Sequence, residues 1–296
     1  MVPESVGIID FDSSHSVEFT RRFNQINIAA DQFVEGAKVV CGCPGSSEMA
    51  PERIGYFRSQ IDAFGVEIVE SPSDMLGRID AVLILSLCGT AHLERVRLFL
   101  EAGVPAFVDK PFACSVDDAS EMVQLASDNS TMLLTSSALR FAQEVQQFQR
   151  NTLVGAVHGV ITYGPAKRAD GNPGLFHYGV HPTELLFCLM GSGCKRVSTI
   201  FTDGAELCTA EWRDGRIATL RGLRRGSTNY GFTAFCENAI IQQEVSSRFA
   251  YRNLCRAVVD SIQQQQPVVS NEESLELVQF IVASQHSESR DGEWVN

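Results

Sequence analysis

DAVLILSLCGTAHLERVRLFLEAGVPAFVDKP, residues 80–111, holds two short apolar runs joined by a segment with helical spacing. The first run, 81–86, is apolar without alternation, as a strand covered on both faces requires. Residues 92–102 repeat apolar side chains at helical intervals, and 106–108 start a second strand. Together they predict a parallel β-α-β unit, in which the second strand ends directly before Asp109-Lys110-Pro111.

The same alternation extends outward in both directions. Strands are predicted at 5–10, 37–41, 66–69 and 132–136, with helices at 16–26, 51–64 and 116–128. Strands separated by helices in this way describe a doubly wound α/β sheet, which binds ligands outside the carboxyl ends of its strands. A domain boundary near Arg140 divides the chain into 1–139 and 140–296. Beyond it a helix at 142–150 leads into alternating stretches at 156–163, 196–202, 206–213 and 216–222, the last two joined by an Asp214-Gly215 turn. With helices at 178–190, 251–263 and 272–287, the second half reads as an α+β domain with a largely antiparallel open sheet.

Composition excludes several classes of function. The 296 residues suit two domains, and 44% hydrophobic against 20% charged residues is globular usage. A net charge of −12 with scattered basic residues argues against a nucleic-acid partner. Apolar runs such as 81–85 fall far below the roughly 20 residues that span a bilayer. Met1-Val2-Pro3-Glu4 leads into a strand rather than a basic leader, so a cytoplasmic protein is expected. The nine cysteines include no C-x-x-C pair and fit reduced, buried thiols. For Cys41 and Cys43, small buried side chains rank above a metal or redox role.

Several motifs then follow in order. Asp80-Ala81-Val82-Leu83-Ile84 with His92, and Glu101-Ala102-Gly103-Val104-Pro105, precede Val108-Asp109-Lys110-Pro111-Phe112-Ala113. Gly174-Leu175-Phe176-His177-Tyr178-Gly179-Val180-His181-Pro182-Thr183-Glu184 comes next, and Glu288-Ser289-Arg290-Asp291-Gly292 stands near the end. This series resembles the Gfo/Idh/MocA family, relatives of glucose-fructose oxidoreductase and inositol dehydrogenase. Asp109 replaces Glu in its E-K-P signature, and His177 stands where Asp is usual in a second signature, roughly D-x-G-x-H-x-x-D. The tail resembles its final E-S-x-x-x-G turn.

The resemblance implies a Rossmann-like first domain, NAD or NADP as cofactor, and hydride transfer with a sugar, cyclitol or related polyol. That chemistry needs a cation at the developing alkoxide and a group that takes the hydroxyl proton. Lys110 suits the first role and His181 the second, with His177 orienting His181 and with Arg140 and Tyr178 near the substrate. Expected cofactor contacts are Asp10, Asp12, Ser13, Ser14, His15, Ser46, Ser86, His92, Asp109 and Lys110. The resemblance also implies a homodimer or homotetramer.

The first turn departs from the family. Where G-x-G-x-x-G is usual, the chain reads Asp10-Phe11-Asp12-Ser13-Ser14-His15, and all three glycines are replaced. A carboxylate about 4 Å from a phosphate oxygen costs about 4 kcal/mol at an effective dielectric near 20. That is roughly a thousandfold in affinity, so weak dinucleotide binding is expected. The second strand also lacks an acid for the adenosine ribose, and Gly45-Ser46-Ser47 with Arg53 or Arg58 is the candidate site for a 2′-phosphate. A metal-dependent lyase or hydrolase, using Asp10, Asp12 and His15 or His177, His181 and Glu184, is the alternative enzyme class. A binding protein without catalysis is the third reading. Acid-base use of the histidines ranks above metal, because Gly179 and Pro182 suggest a helix that starts after His177.

Overall fold

The computed structural model describes residues 3–296, so the leader reading of residues 1–2 lies outside it. The chain divides into two compact units. The first runs to Ala113 and adds Asp117–Ser136 and Tyr251–Asn271; the second holds Cys114–Val116, Ser137–Ala250 and Glu272–Asn296.

In the first unit, β1 (Glu4–Ile9), β2 (Ala37–Cys43), β3 (Glu67–Ile68), β4 (Ala81–Ile84), β5 (Ala106–Val108) and β6 (Leu133–Thr135) form one sheet in the order β3-β2-β1-β4-β5-β6. Every pairing is parallel. Helices α1 (His15–Asn24), α2 (Pro51–Ala63), α3 (His92–Glu101) and α4 (Val116–Asp128) connect the strands. All of β4 is buried, which is why its sequence shows no polar alternation. The strand order reverses between β1 and β4, and the crevice outside their carboxyl ends is the ligand position of such sheets.

Helix α7 (Ala250–Gln264) returns to this first unit, whereas the sequence pattern placed it in the second half. Its Val259 packs so closely on Gly36, at φ +101°, that a β-carbon there would lie 2.7 Å from it. An amphipathic pattern reveals that a helix has a buried face but not which sheet that face meets.

The second unit contains β7 (Val157–Pro165), β8 (Cys194–Thr202), β9 (Ala205–Trp212), β10 (Ile217–Leu223), β11 (Tyr230–Cys236) and β12 (Ile240–Val245), in the order β12-β11-β7-β10-β9-β8. Only β7 and β10 pair in parallel, so the sheet is largely antiparallel. Helices α5 (Gln143–Arg150), α6 (Val180–Met190) and α8 (Asn271–Glu288) complete the unit. Phe187 of α6 anchors the core edge-on to Phe280, at 5.6 Å between ring centres, and tilted against Trp212 at 5.9 Å. Ile161, Ile200, Ile217 and Phe235 remain exposed.

Glu206 is buried in this unit, bound by Arg168 at 2.8 Å and Arg224 at 2.6 Å. Both guanidinium groups stack on Phe201, at 4.1 and 4.4 Å from its ring centre. Glu288, from the tail motif, also holds Arg168 at 2.6 Å, so that motif ties the last helix to the sheet. The nine cysteines are all free, and burial pushes the thiols of Cys188 and Cys208 up to about 11. Among the described residues no helix is long and apolar enough to cross a membrane.

Candidate functional site

The turn after β1 keeps the shape of a dinucleotide turn by other means. Asp10 adopts φ 66°, the left-handed backbone that a first glycine supplies and that Asp tolerates better than most residues. Its side chain is fully buried. Oδ2 accepts from Ser86 Oγ at 2.5 Å and from Arg95 Nε at 3.1 Å, while Oδ1 packs against Gly45. Asp12 turns its Oδ1 to the Leu87 amide at 3.0 Å, and Ser13 accepts the His15 amide at 3.2 Å.

For Asp10 the sequence-based expectation of a carboxylate confronting a phosphate is therefore corrected, whereas Asp12 stays at the edge of the cleft described below. Asp10 joins the loops after β1, β2 and β4, and Asp12 joins two of them. The amides of Asp12, Ser13 and Ser14 meet no acceptor among the described residues, which leaves the donors that a helix N-terminus offers an anion. Beside them a cleft of about 270 Å³ is lined by Asp12, Ser46, Ser86, Thr90 and Arg95, among others. Ser14 and Ser46 are exposed there. The cleft also carries Glu48 and Glu94, so the groups there that suit a phosphate are the free backbone amides, the serines and Arg95.

The cation at the cleft is Arg95, which donates from Nη2 to Ser46 Oγ at 3.0 Å. Sequence reading pointed to Arg53 and Arg58 for this role, and both are exposed, with loose contacts of 3.8 Å to Glu52 and 3.9 Å to Glu70. Arg95 escaped notice because it is read as one more polar residue of α3. Only the fold brings it to a serine 49 residues away.

Lys110 follows the end of β5, with a cis peptide bond to Pro111. Asp109 is buried, accepts the Lys110 amide at Oδ1 (2.8 Å) and bonds His15 Nδ1 through Oδ2. His15 Nε2 meets the Tyr251 hydroxyl at 2.9 Å. His15 and Asp109 are thus partners of each other. His92 is also corrected: fully buried, it directs Nδ1 to the Phe112 carbonyl at 3.1 Å and Nε2 to the Ser86 carbonyl at 3.0 Å. It fastens two loops.

In the second unit His181 lies in the first turn of α6, with Nδ1 2.7 Å from Ser137 Oγ. His177 precedes the helix and its ring meets Tyr178 edge-on at 4.9 Å. Ser137, unnoticed in the sequence, is a hydrogen-bond partner of His181. Tyr178 is exposed, 6.2 Å from His181 between ring centres. Arg140 is buried and bound to Glu184 at 2.6 Å and to Glu273, so its guanidinium braces the unit instead of facing a substrate. With Glu184 taken by Arg140, the His177-His181-Glu184 set does not assemble. Among the described residues no group of His, Cys, Asp or Glu is arranged to hold a metal ion.

Burial raises the Asp10 carboxyl above the usual carboxylate range, against the opposing help of Ser86 and Arg95. A folded-state value above the unfolded one favours the fold while the group is protonated, and that contribution is lost as pH rises through the folded value. Asp10→Asn keeps an acceptor for both donors. Its melting temperature relative to the parent is expected to rise between about pH 4 and pH 7. A difference that shrinks over that range would contradict the raised carboxyl.

Comparison with known proteins agrees with this architecture. Residues 6–137 match the oxidoreductase family GFO_IDH_MocA, NAD-binding Rossmann fold. A D-apiose dehydrogenase from Paraburkholderia graminis is 26% identical over 137 residues, 46% of this chain and 35% of that protein. The match thus spans about a third of that relative's length. A probable dehydrogenase from Thermotoga maritima superposes with a TM-score of 0.81 at 15% identity, covering 98% of each chain. A scyllo-inositol dehydrogenase from Lactobacillus casei, solved with NAD(H) and scyllo-inositol, gives 0.79 at 16% identity, covering 99% of this chain and 98% of that one. The strand order, the β1 turn and the Asp109-Lys110-Pro111 segment all lie within the matched stretch. The family likeness therefore covers residues 6–137, somewhat less than half of the 296-residue chain.

Proposed function

We propose that this chain is an NAD(P)-dependent oxidoreductase acting on a sugar, cyclitol or related polyol. The observation that carries the reading is the β1 turn, where Asp10 supplies a left-handed backbone and successive amides stay available at the start of α1. Those amides, with Ser14, Ser46 and Arg95, would hold the dinucleotide. Its nicotinamide would supply the hydride acceptor or donor. Lys110 then stabilises negative charge on the substrate oxygen, and His181, with Ser137 at Nδ1, takes and returns the hydroxyl proton. D-apiose and the inositols named for the relatives support sugar and cyclitol hydroxyls as the substrate class.

The exposed Ile161, Ile200, Ile217 and Phe235 support self-association as a dimer or tetramer. The acidic balance argues against a nucleic-acid partner and supports a small-molecule substrate for an enzyme of the cytoplasm. The test is a panel of cyclitols, aldoses and polyols followed by nicotinamide absorbance with NAD and NADP. Turnover of at least one substrate is expected, and reduction of neither cofactor across the whole panel would overturn the reading.

A further inference from the structure

His15 replaces the third glycine of the turn and Asp109 replaces the usual glutamate before Lys110, and these two departures touch. The His15 ring is largely buried, with Nδ1 on Asp109 Oδ2 and Nε2 2.9 Å from the Tyr251 hydroxyl. Asp109 is almost fully buried as well, and its second oxygen accepts the Lys110 amide at 2.8 Å. One carboxylate therefore joins the start of α1 to the backbone of Lys110, and Tyr251 of α7 fixes the ring from its far side. Burial alone would push the Asp109 carboxyl up. The charge and hydrogen bond of His15, with help from Lys110, instead hold it below the usual range. The charged or titratable groups facing the pair are Lys110 on its own loop, Tyr251 on α7, and Arg22 of α1, whose guanidinium lies 5.5 Å from the Tyr251 ring centre.

We propose that His15 and Asp109 act as one buried positioning pair that sets Lys110, with Tyr251 as its outer anchor. The shorter Asp leaves room for the imidazole, so the lost glycine and the shortened acid are a matched change. Without His15 the carboxylate would lose its hydrogen-bond partner in a site closed to water, and Lys110 would lose the support of its backbone amide. The pair rests on the role given to Lys110 under the proposed function.

The test combines kinetics on a turned-over polyol with the carbon NMR titration of Asp109 in protein without added cofactor. His15→Asn is expected to lower kcat by about 30-fold while KM for the polyol moves by less than about threefold. In a Lys110→Ala background the same substitution should cost less than about threefold, because a residue that acts through Lys110 has nothing left to position. The Asp109 carboxyl should titrate at higher pH in His15→Asn than in the parent. Tyr251→Phe removes only a hydroxyl and preserves the fold should His15→Asn fail to express. It is expected to lower kcat about three- to tenfold, to be masked by Lys110→Ala in the same way, and to raise the Asp109 titration by a smaller step. Losses that multiply with that of Lys110→Ala, or an Asp109 titration that stays in place, would overturn the positioning role. An unimpaired Lys110→Ala variant would instead remove the role of Lys110 itself, and the pair would then have nothing to position.

Discussion

Lys110→Ala is expected to lower kcat by about 100- to 1000-fold with a melting temperature close to that of the parent. Removing one preorganised donor from a developing oxyanion costs about 3 to 4 kcal/mol of transition-state stabilisation, and a hundredfold corresponds to about 2.7 kcal/mol. The Lys110 ammonium has no hydrogen bond or ion pair among the described residues, and the side chain is half-buried. Its truncation therefore breaks no hydrogen bond or ion pair, and a small stability change follows. The decisive comparison is kcat against the midpoint of thermal unfolding for parent and variant. An unchanged kcat would exclude Lys110 from the chemistry, and a large fall in the midpoint would assign it to the fold.

Gly45→Ala is expected to be the most damaging small substitution in the first unit. A β-carbon at Gly45 would lie 1.5 Å from Asp10 Oδ1 and 2.7 Å from its Cγ, and the residue has φ +63°. The clash cannot relax cheaply, because Asp10 is buried and held by Ser86 at 2.5 Å and Arg95 at 3.1 Å. The left-handed backbone costs a non-glycine residue about 1 to 2 kcal/mol. Displacing a buried, paired carboxylate adds about 3 kcal/mol. Together these lower the unfolding midpoint by about 8 to 20 °C in a protein of this size class. Asp10→Gly in the same chain removes the obstructing oxygen and should recover much of the loss. A Gly45→Ala protein as stable as the parent would contradict the position of Asp10.

Much of the fold was legible because buried parallel strands leave uninterrupted apolar runs, as in Ala81–Ile84 and Ala106–Val108. Strands β11 and β12 were not legible. The edge strand Ile240–Val245 alternates exposed and half-buried residues, and its Gln242-Gln243-Glu244 segment offers no apolar face to detect. The site was legible in part. Lys110 and His181 stand out by motif, but their supports, His15 and Ser137, are distant in sequence or unremarkable in type. At the first turn the sequence reveals that glycines are missing. It does not reveal that Asp10 meets Arg95 and Gly45, or that His15 meets Asp109, because each partner is brought in by strand order rather than by spacing. Arg140 illustrates the reverse error, since an arginine after the last strand of the sheet suggests a ligand contact while its burial with Glu184 and Glu273 makes it structural.

The central claim is that a turn without glycines still holds a dinucleotide, and calorimetric titration of the parent protein with NAD(H) and NADP(H) tests it most directly. Saturable binding of one of them is expected, with a dissociation constant between about 10 μM and 1 mM, or about −7 to −4 kcal/mol. Asp10→Gly would then fail to tighten it, because that carboxylate braces loops instead of facing the phosphates. An absence of heat and of any change in protein fluorescence with both dinucleotides at about 10 mM would contradict the claim.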